Sequence, residues 1–181
     1  MPILIVVIDW ETSGLTLHPD VPPEKQPKAI EFGGMVLSSE DGSIVRELSQ
    51  LINPGQQISA EITKITGITN DQLVGQPTFA EFLPQLREFF EGCAVLVAHN
   101  APFDSAILGF ELKRLNVVDF PLPERTFCTV GAYKERWGRN PRLLELYEAV
   151  IGKPLAQTHR ALDDVAALVE IIVKEKLWEV M

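Results

Sequence analysis

The chain lacks several features that would place it in a class at once. Cysteine is scarce: Cys93 and Cys128 are the only two. Two isolated cysteines make no disulfide framework, and a reducing cytoplasm is the expected setting. No apolar run approaches the roughly 20 residues that span a bilayer. The N-terminus shows neither the basic region nor the long apolar segment of a secretory signal, so no membrane association is expected. No internal repeat, low-complexity stretch or linker divides the sequence, and residues 1–181 are expected to form one domain. Positive charge is also short: 16 Lys and Arg against 25 Asp and Glu leave a net charge of −9. That excludes general charge-driven binding to nucleic acid through a basic face. An acidic chain still acts on nucleic acid where divalent cations offset its carboxylates.

What is present centres on Ile3-Leu4-Ile5-Val6-Val7-Ile8-Asp9-Trp10-Glu11-Thr12. An unbroken aliphatic run this short, mostly Val and Ile, predicts a strand covered on both faces near the centre of a sheet. Side chains two apart on a strand point the same way, so Asp9 and Glu11 can converge. Two readings of this pair stand side by side: a strand end dissolving into solvent, or two anions held together by a hard cation.

Thr12 to Lys28 reads as a loop broken by Gly14, Pro19, Pro22, Pro23 and Pro27. Ala29 to Leu37 reads as a second strand, in which Gly33-Gly34 allow close approach by another backbone or a ligand. The turn at Ser39-Glu40-Asp41-Gly42 predicts a hairpin to a third strand, Ile44 to Ile52. Ser59 to Ile65 suits a short helix with Ser59 as N-cap and Gly67 as its stop. Thr78 and Glu81 fit a capping box ahead of a helix on Phe79, Phe82, Leu83, Leu86, Phe89 and Phe90, with Pro84 expected to kink it or delay its start. Ala94 to Ala98 reads as a buried fourth strand. A helix follows, with Pro102 at its first position, ending at Leu115 or Asn116. Thr126 to Val130 reads as a short fifth strand and Leu143 to Ile151 as a helix. The last helix starts near 158–160 and runs to about Lys176. Hairpin strands followed by alternating strands and helices predict an α/β domain with a mixed sheet.

Helical phase then singles out two carboxylates. Asp104, Ile107, Leu108, Glu111, Leu112 and Leu115 share one stripe, which puts Asp104 on the apolar side of its helix. A first-turn anion on the helix dipole, worth a few tenths to about 1 kcal/mol, explains Asp104 as well as a functional role does. In the last helix Asp164 falls among Ala161, Val165, Leu168 and Ile172. Asp163 falls with Ala167, Glu170 and Lys174 on the wet side. A carboxylate on a core stripe must be paired or metal-bound. His159 lies just at or before that helix, and a lone His is more often structural than catalytic.

Taken together, three segments resemble the DEDDh group of 3′–5′ exonucleases, the proofreading-subunit family with an RNase H-like fold. Asp9-Trp10-Glu11-Thr12, continued by Ser13-Gly14-Leu15, is similar to the family's first motif. His99-Asn100-Ala101-Pro102-Phe103-Asp104 is similar to the second, and His159-Arg160-Ala161-Leu162-Asp163-Asp164 to the third. Ile52-Asn53-Pro54-Gly55 and Ile65-Thr66-Gly67-Ile68-Thr69 also resemble family segments. The likeness runs from about Ile3 to Val173.

The resemblance implies an RNase H-like mixed five-stranded sheet flanked by helices. It implies that Asp9, Glu11, Asp104 and Asp164 hold two Mg²⁺ or Mn²⁺ ions and that His159 is the general base. The chemistry agrees, since four ionised carboxylates balance two divalent ions and an oxygen-only site suits hard cations. Asp9 is expected to bridge both ions, and Asp104 to act through a water. Thr12, Gly14, His99, Asn100 and Phe103 match positions lining the 3′-terminal nucleotide. Core packing would explain Phe103 equally well, and a helix-capping loop would explain His99 and Asn100. The implied function is release of nucleoside 5′-monophosphates from 3′ ends of single-stranded nucleic acid, DNA favoured over RNA. An RNA-preferring exoribonuclease and an inactive binding module are the alternatives. Trp10 and the long Pro-rich loop depart from the usual pattern. The chain ends soon after the last helix, so transient polymerase or replication partners are expected rather than a stable tether.

Overall fold

The aliphatic run forms the middle strand of a five-stranded sheet. The structure is a computed structural model and describes residues 2–156 and 159–181. Its strands are β1 (Leu4–Thr12), β2 (Ala29–Ser38), β3 (Ile44–Leu51), β4 (Cys93–Ala98) and β5 (Arg125–Cys128), in the order β3-β2-β1-β4-β5. β1 pairs antiparallel with β2 and parallel with β4; β3 is antiparallel to β2, and β5 parallel to β4. The helices are α1 (Ala60–Thr66), α2 (Asn70–Leu73), α3 (Phe79–Phe90), α4 (Ala101–Arg114), α5 (Thr129–Trp137), α6 (Leu143–Ile151) and α7 (Ala161–Glu175). This is the mixed sheet with flanking helices that the sequence predicted. Among the described residues no helix is long and apolar enough to cross a membrane.

Alternation along β1 divides the core. Val6, Ile8 and Trp10 join Phe32, Phe79, Phe82, Phe89, Phe90 and the inner side of α4. Ile5 and Val7 join Met35, Leu37, Val95, Val97 and the inner sides of α6 and α7. Trp10 therefore packs beneath the sheet, its ring 4.6 Å from that of Phe32 and 6.0 Å from Phe79. Asp9 and Glu11 share the other face, the one α7 covers.

Local signals set several boundaries. The Ser59 hydroxyl accepts the Ile62 N–H, and Gly67 ends α1 at φ 71°. Thr78 and Glu81 form the predicted capping box, and it wins over Pro84: α3 starts at Phe79 and continues through the proline. The Ala80 carbonyl that Pro84 leaves unpaired belongs to an exposed residue. Pro102 stands second in α4, behind Ala101. The Pro-rich loop is pinned from α4. Arg114 donates to the carbonyls of Pro23 (2.9 Å), Gln26 (2.7 Å) and Pro27 (2.9 Å). Its Nη1 lies 2.9 Å from Glu111 Oε1, which also accepts the Ala29 N–H at 2.9 Å.

The close approach anticipated at Gly33-Gly34 is made by α7. A Cβ on Gly33 would lie 2.4 Å from the Ala161 carbonyl carbon and 2.4 Å from the Leu162 nitrogen. Both are backbone atoms and cannot turn aside. Gly33→Ala is expected to destabilise the fold by about 1–3 kcal/mol in urea denaturation, through overpacking. Gly109→Ala, mid-helix with nothing within 4 Å of the added methyl, is expected to stabilise it by about 0.5–1 kcal/mol.

Candidate active site

Register and helical phase meet at one end of β1. Asp9 stands opposite Gly33 and Glu11 opposite Glu31 in the β1–β2 pairing. Because Gly33 has no side chain, the first residue of α7 rests directly on β2, and the first turn of that helix carries Asp164 toward β1. Carboxylate oxygens of Asp9, Glu11 and Asp164 all lie within 4.8 Å of one another. No other group of three or more His, Cys, Asp or Glu side chains among the described residues is arranged to hold a metal ion. Asp164 is half-buried and Asp163 exposed, as the phase predicted. Ala167 differs from expectation: it is buried, because α7 packs against α6 as well as the sheet and its dry arc is wider than a single stripe.

The electrostatics are those of crowded anions. Burial raises the Asp9 carboxyl to about 8, with the charges of Asp164 and Glu31 adding to the rise. Burial, then Asp9, Asp164 and Glu31, raises Glu11 to about 9, opposed by Arg160. Asp164 is raised by burial and held back by His159. Asp9 and Glu11 therefore stay protonated at neutral pH unless positive charge arrives.

Asp104 stands apart from the three-acid cluster. It belongs to α4, in the layer on the opposite side of the sheet, and is 2% exposed. Burial and the charge of Asp9 hold its carboxyl well above the ordinary range, against hydrogen bonds from its own backbone and that of Trp10. Its Oδ1 has no hydrogen-bond partner among the described residues. An all-oxygen, acidic set, three members half-buried and one buried with an orphaned oxygen, fits a hard divalent cation.

A cleft of about 620 Å³ opens beside the acids. Asp9, Asp164, His159, His99, Asn100 and Arg142 line it, with Val130, Asn140, Pro141, Leu143 and Leu144. His159 has φ 51°, in the left-handed region, and Asn100 has φ 78° at the start of α4. The Asn100 side chain makes no capping bond. His99 Nε2 donates to the Pro141 carbonyl (3.0 Å), and Nδ1 lies 3.0 Å from the Thr129 hydroxyl. Burial lowers its pKa, which favours the neutral ring with Nδ1 accepting. His99 thus ties the end of β4 to α5 and to the loop before α6. Thr12, Gly14 and Phe103 do not line this cleft. Thr12 donates its hydroxyl to the Gly14 carbonyl at 2.7 Å. Phe103 packs half-buried against the core of α3 and α4, the packing role weighed for it.

Sequence reasoning passed over Glu31 and Arg160. Glu31 is 1% exposed, and the Arg160 fork grips it with Nε at 2.9 and 3.1 Å from its two oxygens. The signal was there: a single carboxylate inside the apolar strand Ala29-Ile30-Glu31-Phe32, with the parity of Gly33 and the α7 face. The cleft wall from Asn140 to Leu144 carried no motif.

The family profile RNase_T, described as Exonuclease, matches residues 6–172. The chain is 37% identical over 168 residues to the PolC-type DNA polymerase III of Clostridium perfringens, covering 92% of this chain and 11% of that one. It is 32% identical over 176 residues to the DNA polymerase III epsilon subunit of Aquifex aeolicus, covering 96% and 81%. The chain thus spans only about a tenth of the PolC-type relative. The nuclease domain of 3′hExo, a DEDDh family member solved bound to rAMP, superimposes with a TM-score of 0.77 at 22% identity, over 98% of this chain and 92% of that one. With the profile running from β1 to the last turns of α7, the chain belongs to the exonuclease family that this profile describes.

Proposed function

We propose that residues 1–181 form one exonuclease domain that removes nucleoside 5′-monophosphates from the 3′ ends of single-stranded nucleic acid, with DNA preferred. The observation that carries this is the convergence of Asp9, Glu11 and Asp164 within 4.8 Å at the head of a cleft wide enough for a nucleotide. In this reading Asp9, Glu11, Asp164 and Asp104, with its orphaned oxygen, would hold two Mg²⁺ or Mn²⁺ ions. When bound, such ions activate the attacking water and stabilise the leaving oxygen. The chain's own part is acid–base work and positioning. His159, beside Asp164 in the cleft, takes the proton from the attacking water. A phosphorus–oxygen bond forms, the bond to the 3′ oxygen breaks, and that oxygen leaves protonated by solvent. His99, Asn100 and Arg142 line the space for the terminal nucleotide, and Thr12, Gly14 and Phe103 stand outside that lining.

The DNA preference rests on relatives named as a PolC-type DNA polymerase III and a DNA polymerase III epsilon subunit, as does transient contact with a polymerase. RNA is the competing substrate, favoured by the fold neighbour bound to rAMP. The deciding assay digests matched 5′-labelled single-stranded DNA and RNA with Mg²⁺, Mn²⁺ or EDTA. A metal-dependent ladder shortening from the 3′ end is expected, faster on DNA. Asp9→Ala and Asp164→Ala are expected to lose at least about 10³-fold in rate, and His159→Ala about 10²–10⁴-fold. Asp163→Ala keeps most activity; equal loss at both aspartates would refute the assigned helix phase. A chain that binds either polymer but cuts neither would be a binding module.

Metal binding should also show in stability. The unfolded carboxylates ionise near pH 4, whereas Asp9 and Glu11 in the folded, metal-free chain hold their protons to about 8 and about 9. Across that window the folded state binds more protons than the unfolded one, so stability falls as pH rises. In EDTA the melting temperature is expected to drop from pH 5 to pH 9. Saturating Mn²⁺ should remove most of that slope by holding the carboxylates ionised. A melting temperature in EDTA that climbs over this range would contradict the crowded-anion account.

A further inference from the structure

Three acids on β1 and α7 meet only if the start of α7 is held on β2, and Gly33 permits that approach without enforcing it. Glu31 is the residue placed to enforce it. It sits two positions from Gly33 on the same face and directly opposite Glu11. Its carboxylate makes two kinds of contact with the α7 start. One is the fork of Arg160, through Nε to both oxygens and Nη2 to Oε1. The other is the Ala161 N–H, which reaches Oε2 at 3.1 Å. That N–H is one of the first-turn donors with no partner inside the helix. No side chain caps α7 from its own N-cap residue, so Glu31 does this from the sheet.

We propose that Glu31 and Arg160 are positioning residues for catalysis: their ion pair clamps the first residue of α7 to β2 and so fixes Asp164 and His159 against Asp9 and Glu11. This rests on the roles proposed above for those four side chains. His159 immediately precedes Arg160 and holds a left-handed backbone that non-glycine residues seldom adopt. With Arg160 anchored on one side, the imidazole is kept at the cleft. The pair also solves a charge problem. Glu31 alone would be another anion against Asp9, Glu11 and Asp164, and it acts on all three. The guanidinium opposes that anionic field at Glu11, so part of the charge Glu31 brings is offset. Lys in place of Arg160 would keep the charge and lose the fork.

The competing assignment makes Arg160, whose side chain is 41% exposed, a direct ligand of substrate phosphate. Steady-state kinetics on a labelled single-stranded oligonucleotide, Mn²⁺ binding by electron paramagnetic resonance and thermal melting separate the two. Glu31→Gln and Arg160→Met are expected to lower kcat about 10–100-fold and weaken Mn²⁺ binding about tenfold, at temperatures where both variants are folded. KM should stay within about twofold, and Arg160→Lys should recover only part of the loss. A raised KM in Arg160→Met beside near-parental kinetics in Glu31→Gln would assign Arg160 to substrate and overturn the clamp. So would activity losses that track the unfolded fraction alone. Asp9→Ala run in parallel distinguishes the levels: activity surviving it overturns the site and the clamp together, whereas an inactive Asp9→Ala beside a parental Glu31→Gln overturns the clamp alone.

Discussion

Half-buried carboxylates crowded together repel one another, and the packing around β1 and α7 keeps these three in place. Asp9, Glu11 and Asp164 crowd within 4.8 Å with their carboxyls pushed upward by burial and mutual charge. Nothing in that cluster is favourable by itself in the absence of cations. Its free energy is offset by what flanks it: aliphatic residues of β1 with no exposure at all, and the apolar side of α7. The Gly33 contact and the Glu31–Arg160 pair convert that packing into a defined distance between strand and helix.

The cleft wall has its own supports. His99 uses both ring nitrogens on the scaffold and carries the loop before α6. From the first turn of α6, Glu145 accepts two 2.9 Å contacts from Arg139 in that loop, and from Arg142 its backbone N–H at 2.9 Å and its guanidinium at 3.3 Å. The Arg142 side chain stays 79% exposed at the cleft. A chain of net charge −9 thus presents a guanidinium where a phosphate would enter, and its affinity for nucleic acid would depend on divalent ions more than on a basic surface.

Period and phase made much of this legible from residues alone. Two-residue alternation paired Asp9 with Glu11, and the 3.6-residue period put Asp164 inward and Asp163 outward, because both rules depend only on backbone geometry. The capping residues at Ser59 and Thr78 were readable for the same reason. What escaped depended on partners distant in sequence. α5 went unrecognised because Val130, Tyr133 and Trp137 are a thin stripe among Lys134, Glu135 and Arg136, and its burial comes from neighbouring elements. The sequence extended β5 to Val130, but α5 takes over at Thr129. α2 is only four residues long, and its Thr69–Gln72 capping box went unread. Glu31 looked like one charge in a strand until Arg160, 129 residues away, met it.

The two layers contribute unequally, and β1 is the bar between them. Its odd positions, Ile5, Val7, Asp9 and Glu11, lie on the α7 side, where packing residues give way to clustered acids. Its even positions, Val6, Ile8 and Trp10, face α3 and α4 and are structural. Asp104 comes from that second layer and is reached only around the end of the strand, where the Trp10 backbone bonds it. This explains why Asp104 stays outside the 4.8 Å cluster yet still responds to Asp9. The Trp10 ring, locked against Phe32 and Phe79, then has a consequence beyond core volume. It ties the end of β1 to β2 through Phe32 and to α3 through Phe79. A large aromatic in the variable place of the first motif is therefore part of the core rather than a wall of the cleft.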